Sequence, residues 1–217
     1  MKHKHITIGI LPFFLILLNS CLGVSMNISL NRDGSGIVTL NYQISRALDS
    51  LGKLDGNERW NTVPVGKADF ERTIERLPEV KLLSFASRED DKNTIIDVKM
   101  EFSSPRGLLA FLDASGRSAV FSGDGNSGAL ILNLADPNIL KNPSLLKLIA
   151  DISDNYTVQM GMTFHDQGYL LLLDNSGNAI AIPDQDIQSR GKTVSFSIPL
   201  QEVLSSRKGV NAEFHWQ

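Results

Sequence analysis

Apolar and polar residues alternate along much of the chain, which is the pattern of β-strands with one buried and one solvated face. Met26, Ile28 and Leu30 alternate with polar neighbours, and the same period returns over residues 38–44. Between these runs, Asp33-Gly34-Ser35-Gly36 supplies the residue types that tight turns require. The folded part of the chain is therefore predicted to open with a β-hairpin whose first strand starts at about Met26.

Further alternating runs predict more strands, two pairs of which are hairpins with turns at residues 90–93 and 123–126. The longest clean alternation runs over residues 156–164. The strands predicted after the first hairpin are residues 80–87, 94–102, 118–122, 128–134, 156–164, 170–173, 179–182, 193–198 and 210–216.

Other segments place apolar residues three and four positions apart, which is the period of amphipathic helices. Phe70, Ile74 and Leu77 share one helical face that Pro78 ends, and Ser104-Pro105 reads as an N-cap followed by a proline in the first turn. The predicted helices are residues 45–54, 70–77, 104–116, 142–152 and 199–204.

Most connections between the predicted strands are too short for parallel crossovers. The sequence therefore predicts an α+β fold, with a mainly antiparallel sheet built from hairpins and short amphipathic helices packed on one face. No stretch of linker-like composition divides the chain. We interpret residues 26–217 as a single globular domain, with a two-lobed arrangement as the alternative.

The first twenty-five residues follow a different pattern. Lys2-His3-Lys4-His5 is basic, and residues 6–18 are apolar and carry no charge. As a helix this run would rise only about 20 Å, which is less than the hydrocarbon core of about 30 Å. A basic start, a short apolar run and small residues after it are typical of a secretory signal peptide, predicted here as residues 1–20.

The end of this segment, Leu18-Asn19-Ser20-Cys21, resembles the lipobox of bacterial lipoproteins, in which a leucine lies three positions before a cysteine and a small residue directly before it. The resemblance implies that Cys21 receives a diacylglyceryl thioether and becomes the first residue after cleavage. Residues 21–25 are then a short lipidated tether. A plain signal peptide beside an unrelated cysteine, or an uncleaved anchor, is the alternative.

Cys21 is the only cysteine of the chain. An exported chain with one thiol cannot form an intramolecular disulfide, which favours the interpretation that this thiol is modified. Each acyl CH₂ buried in a bilayer contributes about 0.8 kcal/mol, and two or more acyl chains anchor a protein stably. The predicted partner is therefore the membrane, reached through Cys21.

The charge of the chain argues against several other partners. The formal net charge is −3, and loss of the two lysines of the signal makes the remaining chain more acidic. No basic stripe is present, so nucleic acid is not expected as a partner, and attraction to anionic lipid is not expected either. A hydrophobic content of 42% with 21% charged residues is typical of a packed globule.

After cleavage, His165 and His215 are the histidines that remain. Their spacing does not place two imidazoles on one face for a zinc ion, and the alternation directs both side chains away from the core. A general-base pair of His165 with Asp166 is the functional alternative. We predict neither a metal site nor a cofactor.

Three segments rich in Asp, Asn and Gly resemble calcium loops, at residues 33–36, 123–128 and 174–177. None has the EF-hand spacing with a glutamate at the twelfth position, and turns require the same residue types. The G-x-S-x-G and P-loop motifs are absent from the sequence. No catalytic residue is therefore predicted.

Two features are candidates for binding. Met160 and Met162 are candidates for an adaptable apolar pocket, with ordinary core packing as the alternative. Trp60 stands in a polar loop, between Asn57-Glu58-Arg59 and Asn61-Thr62, with no alternation that would bury it. An exposed aromatic ring at this position is a candidate for contact with a partner or with the membrane.

Residues 27–40, shortly after the cysteine, resemble the opening hairpin of the LppM-type envelope lipoprotein domain. Residues 194–200, followed by a short helix and a strand with Trp216, resemble the end of that domain, and small lipoproteins of spirochaetes are similar. The resemblance covers mainly the two ends of the chain. It implies an envelope or lipid-interaction module without known catalysis.

These patterns predict a lipid-anchored bacterial envelope protein whose globule is a non-catalytic binding or structural module near the membrane surface. The expected partner beyond the membrane is an envelope protein or a lipid. Leu22, after the cysteine, favours the outer over the inner membrane if the host has both. A carrier of lipid or of another hydrophobic ligand is the alternative, and a hydrolase without a recognisable motif is the second.

Overall fold

The computed structural model describes residues 22–45, 66–113, 118–135, 156–182 and 185–217. These residues form eleven strands and three short helices, and the predicted α+β fold class is confirmed. The strands are β1 Leu22–Leu30, β2 Gly36–Ser45, β3 Val80–Glu89, β4 Asn93–Phe102, β5 Ala119–Gly123, β6 Gly128–Ala135, β7 Thr157–Thr163, β8 Gly168–Leu173, β9 Asp186–Arg190, β10 Thr193–Pro199 and β11 Val210–Trp216. The helices are α1 Lys67–Ile74, α2 Pro105–Leu112 and α3 Leu200–Ser205. The helices predicted over residues 45–54 and 142–152 lie outside the described residues.

The strands form two sheets. The large sheet has seven strands in the order β3-β4-β2-β1-β7-β10-β9, and the small sheet has four in the order β5-β6-β11-β8. The described strand pairs are antiparallel except for β1 with β7, which is parallel. β1 and β7 are far apart in the chain, so no short turn between them requires the antiparallel direction.

The two sheets meet through their apolar faces and share one hydrophobic core. Alternate residues of each central strand point into this core, as Phe214 and Trp216 do on β11. Aromatic contacts bridge the sheets: the ring centroids of Phe196 and Phe214 are 6.1 Å apart, and Phe164 stacks on Trp216 at 5.6 Å. The opposite face of each sheet remains open to solvent.

Helix α1 covers the outer strands of the large sheet. Its Phe70 is 1% exposed and lies between Tyr42 of β2 and Phe85 of β3, with ring centroids 6.3 Å and 5.6 Å away. Ile74, one turn further along, is also buried, and the helix ends before Pro78 as predicted.

Helix α2 begins where the sequence predicts. The hydroxyl of Ser104 accepts a hydrogen bond from the backbone N–H of Gly107 at 3.2 Å and donates one to the Glu79 carboxylate at 2.6 Å. Pro105 opens the helix, where its missing N–H removes no helical hydrogen bond. These contacts fix the start of α2 beside the residue that precedes β3.

The structure corrects the predicted tether. β1 begins at Leu22 rather than at about Met26, so residues 22–25 pair with β2 instead of linking Cys21 to the fold. Val24 continues the alternation of the apolar residues that follow and is 2% exposed, because β2 and β7 both extend far enough to pair with it. In the predicted mature chain, Cys21 alone precedes the sheet.

Two further predictions differ from the structure. Residues 179–182 were predicted to be a strand but form a single bridge, between Ala179 and Leu173. The sequence did not predict β9, because Ile187 is the one apolar residue among its five and gives no alternation.

The start of β1 defines one end of the large sheet, which we call the Cys21 end. Leu22 lies opposite Ile44 of β2 at this end. β7 runs parallel to β1, so its first residue Thr157 and the facing Pro199 of β10 lie at the same end. The position of Cys21 in the chain therefore places any lipid attached to it at this end.

Candidate binding site on the large sheet

The solvent face of the large sheet is polar and, across its centre, uncharged. Strands β2, β1, β7 and β10 place hydroxyl and amide side chains on this face, with Ile37 as an apolar exception. These side chains are Thr39, Asn41 and Gln43 of β2, Ser25, Asn27 and Ser29 of β1, Gln159 and Thr163 of β7, and Thr193, Ser195 and Ser197 of β10. Charged side chains flank them, with Lys99 and Glu101 on β4 and Asp186 and Arg190 on β9.

A trough of about 240 Å³ lies on this face, over β1, β7, β10 and β9. The strand register arranges its lining side chains in two rows. One row is Ser25, Gln159, Ser197 and Asp186, and the other is Asn27, Gly161, Ser195 and Gln188.

Gly161 gives the trough its depth. A Cβ atom at this position would lie 2.3 Å from Oδ1 of Asn27 and 3.4 Å from Cβ of Ser195, so a larger residue would fill the space between them. A glycine inside a strand often marks such a close approach. Gly161 is itself buried, and its backbone forms the floor of the trough between the side chains of Asn27 and Ser195 in the same row.

Four lining side chains form no hydrogen bond with other residues in the part of the chain that the structure describes: Ser25, Asn27, Ser195 and Ser197. Neighbouring groups are already engaged, since Gln188 Nε2 donates to Asp186 Oδ2 at 2.5 Å and the hydroxyls of Thr163 and Thr193 are 2.9 Å apart. The unengaged hydroxyl and amide groups are available to water or to a ligand.

The chemistry of the trough is that of hydrogen bonding. Hydroxyl and amide side chains both donate and accept, and none of them changes charge near neutral pH. Asp186 is the charged residue among those that line it. The lining therefore suits a neutral ligand that carries hydroxyl or amide groups.

The two histidines lie away from the trough. Nδ1 of His165 is 3.4 Å from Oδ2 of Asp166, and Arg32 reaches the same oxygen at 3.6 Å. Loss of water works against ionisation of Asp166, but the hydrogen bond and charge of His165, with the charges of Arg32 and Lys192, lower the pKa of this carboxyl. Both members of the pair are partly exposed.

His215 lies on the outer face of the small sheet. Its ring stacks on Tyr169 with centroids 4.8 Å apart and planes 7° apart, and Nε2 is 3.0 Å from Oε2 of Glu213. The alternation correctly directed this side chain away from the core. Tyr169 nevertheless covers it, so His215 is half-buried rather than solvated.

The three segments that resemble calcium loops form turns. Asp33 accepts from the hydroxyl and N–H of Ser35, and Asp124 accepts from the backbone N–H groups of Asn126 and Ser127. These bonds hold the pKa of both carboxyls below their usual value. Asp174 accepts in the same way from residues 176 and 178. Among the described residues, no group of three or more His, Cys, Asp or Glu side chains is placed to hold a metal ion.

Met160 and Met162 point from β7 into the core, with exposures of 1% and 0%, on the face opposite the trough. Cys21 and Trp60 lie outside the described residues, and their roles stay predictions. The residue that sequence reasoning missed is Gly161, which stands between the two methionines where the alternation expects a polar side chain.

None of the helices in the described ranges is long and apolar enough to span a bilayer.

No protein-family model matches the chain. No curated protein matches it either. Among solved structures, the chain is similar to the NMR structure of the folded domain of the LppM protein from Mycobacterium tuberculosis, with 12% sequence identity, 91% of each chain covered and a TM-score of 0.42. That protein is of the type that the two ends of the sequence resemble.

Proposed function

We propose that this protein is a lipid-anchored protein of the bacterial envelope and that its folded part is a non-catalytic binding module with the trough as its ligand site. One observation carries the proposal. The unengaged side chains of Ser25 and Asn27 line the trough from β1, the strand that directly follows Cys21.

The position of the trough supports a role near the membrane. A strand rises about 3.3 Å per residue, so the six steps from Cys21 to Asn27 span at most about 20 Å. A lipid on Cys21 holds the start of β1 at the headgroups. The trough then opens close to the bilayer surface, where a ligand on a lipid or on an envelope polymer can enter it.

The lining supports a neutral polar ligand. An apolar ligand would displace water from hydroxyl and amide groups without replacing their hydrogen bonds, which costs about 1–3 kcal/mol for each buried group. A ligand with hydroxyl or amide groups can replace those bonds. Four unengaged side chains in two adjacent rows provide several such contacts at once.

The test of the anchor is metabolic labelling of cells with a fatty-acid probe. The parent protein should be labelled and the Cys21→Ala variant should not. Equal labelling of the two would show that the lipid is elsewhere or absent.

The test of the trough is native mass spectrometry of the lipidated protein extracted from its own membranes. Ser195→Leu fills the trough, whereas Thr39→Leu introduces the same leucine side chain on the same face of the sheet but outside the trough. We expect a bound polar molecule on the parent and on Thr39→Leu, and at least about a tenfold loss on Ser195→Leu, the equivalent of one or two lost hydrogen bonds. Equal loading of all three proteins, or no bound molecule on any, contradicts the proposal.

The same spectra distinguish the alternative of a carrier for a hydrophobic ligand. A carrier needs a cavity on the core side of β7, where Met160 and Met162 pack. An apolar lipid whose retention is unchanged by Ser195→Leu and lost in Met160→Trp would favour the carrier over the binding module.

Trp60 is proposed as a membrane or partner contact on the basis of its sequence alone. Its fluorescence provides a test, because the chain has two tryptophans and Trp216 is buried. Addition of vesicles should shift the emission of the parent to shorter wavelength and leave Trp60→Phe unchanged. An equal shift in both proteins assigns the change to Trp216.

A further inference from the structure

The strand β9 forms one edge of the large sheet and pairs only with β10 among the described strands. Two other edge strands are protected: β3 has an irregularity between Leu82 and Ser84, and Leu172 of the edge strand β8 accepts a hydrogen bond from the N–H of Ile180. β9 has neither device, and Ile187 on it is 46% exposed. An exposed edge of this kind is a template for another strand.

The sequence of β9 is complementary to itself. Asp186 and Arg190 stand at its two ends and point to the same face of the sheet, with Gln188 between them. Neither charged side chain has an ion-pair partner among the described residues. An antiparallel partner with the same sequence would bring each of the two charges opposite its complement.

We propose that β9 pairs antiparallel with β9 of a second copy of this chain, about a two-fold axis at Gln188. Asp186 then lies opposite Arg190 of the partner subunit, and Arg190 lies opposite Asp186 of the partner subunit. Directly opposite side chains in such a pair have Cβ atoms about 4.5–5.5 Å apart, which is within reach of an ion pair. The contact is isologous, as a two-fold axis requires.

Other pairings of the same two strands lose this match. A parallel arrangement in register places Asp186 opposite Asp186 of the partner subunit, and like charges directly opposite are destabilising. A shift of two residues in the antiparallel pair leaves one of the two charges opposite Gln188 and places the other opposite a residue outside β9. On the other face of the strand, the two-fold register covers the exposed Ile187 with Ser189 of the partner subunit.

The pairing changes the trough. Asp186 and Gln188 line its outer rim, so the rims of two troughs meet at the axis and the partner subunit supplies the far wall of each. The large sheets of the two copies become one continuous sheet. The pairing depends on the charges of β9 and not on what the trough binds.

The interface is small. Five residues of a strand extend about 17 Å, and the contact falls well short of the roughly 800 Å² per partner of a standard stable interface. β9 runs in the same direction as β1, so the two-fold axis places the Cys21 ends of the two copies at opposite ends of the joint sheet, and both lipids reach one bilayer when the strands lie along its surface. Confinement of both copies to that surface raises their effective concentration. We therefore expect pairing of the lipidated protein in a membrane rather than a tight dimer in dilute solution.

The test uses the lipidated full-length protein in vesicles of phosphatidylcholine. The variant Gln188→Cys places one cysteine of each copy at the proposed two-fold axis. Opposed Cα atoms of antiparallel strands lie about 4.5–5.5 Å apart, which is within the range of a disulfide. Mild oxidation should yield a covalent dimer from Gln188→Cys and not from Thr39→Cys, which has its cysteine on the same face away from β9. Equal yields from the two variants, or none from Gln188→Cys, overturn the proposal.

Charge reversal in the Gln188→Cys protein then tests the register. Asp186→Arg alone and Arg190→Asp alone each place like charges opposite one another in a homodimer, and each should lower the rate of crosslinking about tenfold. A mixture of the two single variants again places opposite charges together and should restore the rate between unlike chains. The double variant Asp186→Arg/Arg190→Asp should restore it within one kind of chain.

Lys99→Glu is the matched control, since it reverses a charge on the same face of the distant strand β4 and should leave the rate unchanged. Circular dichroism of each variant establishes that it folds. Crosslinking that is insensitive to the single reversals shows that the copies meet through another register or surface. Failure of both the mixture and the double variant to restore the rate has the same meaning.

Discussion

Gly161 separates two surfaces with different properties on one strand. Its neighbours Met160 and Met162 are buried in the core, whereas Gly161 itself forms the floor of the trough on the other face. The alternation of β7 correctly predicted that Val158, Met160 and Met162 are buried, but it did not predict that Gly161 is buried as well. It could not show that Asn27 and Ser195, which are far from Gly161 in the chain, lie on either side of it. The sequence of one strand does not determine which strands pair with it or in which register.

The hydrogen bonds of the Asp174 carboxylate lead to a prediction about stability at acid pH. The backbone N–H of Asn178 donates to its carboxylate, and with the side chain of Asn178, the N–H of Ser176 and the charge of Lys208 it outweighs the loss of water and lowers the pKa. A carboxyl whose pKa is lower in the folded than in the unfolded state stabilises the fold above its ordinary value of 3.8, and this contribution is lost as the pH falls through the folded-state pKa.

Asp174→Asn should therefore be less stable than the parent at pH 7, and the difference should shrink towards pH 3. Urea unfolding at a series of pH values measures it. Asp91→Asn is the control, since this exposed turn residue accepts no hydrogen bond from the described residues. A difference between Asp174→Asn and the parent that stays constant with pH would contradict the role of this carboxylate.

At the scale of elements, the sequence predicts the strands in which apolar and polar residues alternate and does not predict a strand without that alternation. β11 and β10 were predicted nearly to the residue, because every second side chain of each is buried. β9 was missed because an edge strand with solvent on both sides needs no apolar face. The parallel pairing of β1 with β7 was not predicted, because hairpin turns indicate only which strands adjacent in the sequence pair with each other.

Two turns that the sequence treats separately are in contact. Gly125, in the turn between β5 and β6, lies so close to the turn between β1 and β2 that a Cβ atom would be 2.3 Å from the carbonyl oxygens of Asn31 and Arg32. Backbone atoms cannot move aside as a side chain can. Gly125→Ala should therefore destabilise the protein by about 1–3 kcal/mol, measured by urea unfolding.

Gly177→Ala is the matched control for this substitution. Gly177 has a φ of 80° and no atom within 4 Å of the added Cβ, so the change costs only the strain of a left-handed backbone, about 1 kcal/mol. If Gly125→Ala is no more destabilising than Gly177→Ala, the two turns are not held together as the structure describes.

At the scale of the molecule, the candidate site is assembled from parts that no local pattern connects. Its lining residues come from β1 at the start of the chain and from β7, β9 and β10 in the second half. The alternation predicted strands with one buried and one solvated face, and the solvated faces of β1, β7 and β10 are polar. Which faces would meet depends on the strand order, which the hydrophobic pattern does not determine.

The length of the connection between Cys21 and β1 is a property of the whole molecule that can be changed. A flexible segment of about twenty residues must be inserted between Cys21 and Leu22, because residues 22–25 belong to β1. It adds several nanometres of reach at full extension. If the ligand is fixed at the membrane surface, native mass spectrometry should show less of it on this variant.

The same segment added after Gln217 is the control, because it leaves the connection to Cys21 unchanged. Fatty-acid labelling of both proteins should equal that of the parent. Equal loading of the ligand on all three would show that closeness to the membrane is not part of how the trough is filled.

The place of β1 in the large sheet also determines how the fold responds to a mechanical load. β1 is an interior strand, paired along its length with β2 and over residues 24–29 with β7. A pull on a lipid attached to Cys21 would act along the strand axis, while the hydrogen bonds that hold β1 lie across it. Such a load shears both ladders together instead of peeling them apart one bond at a time. If the proposed anchor is at Cys21, drag on the protein would act in the direction in which a sheet is strongest, and an interior strand would bear the load.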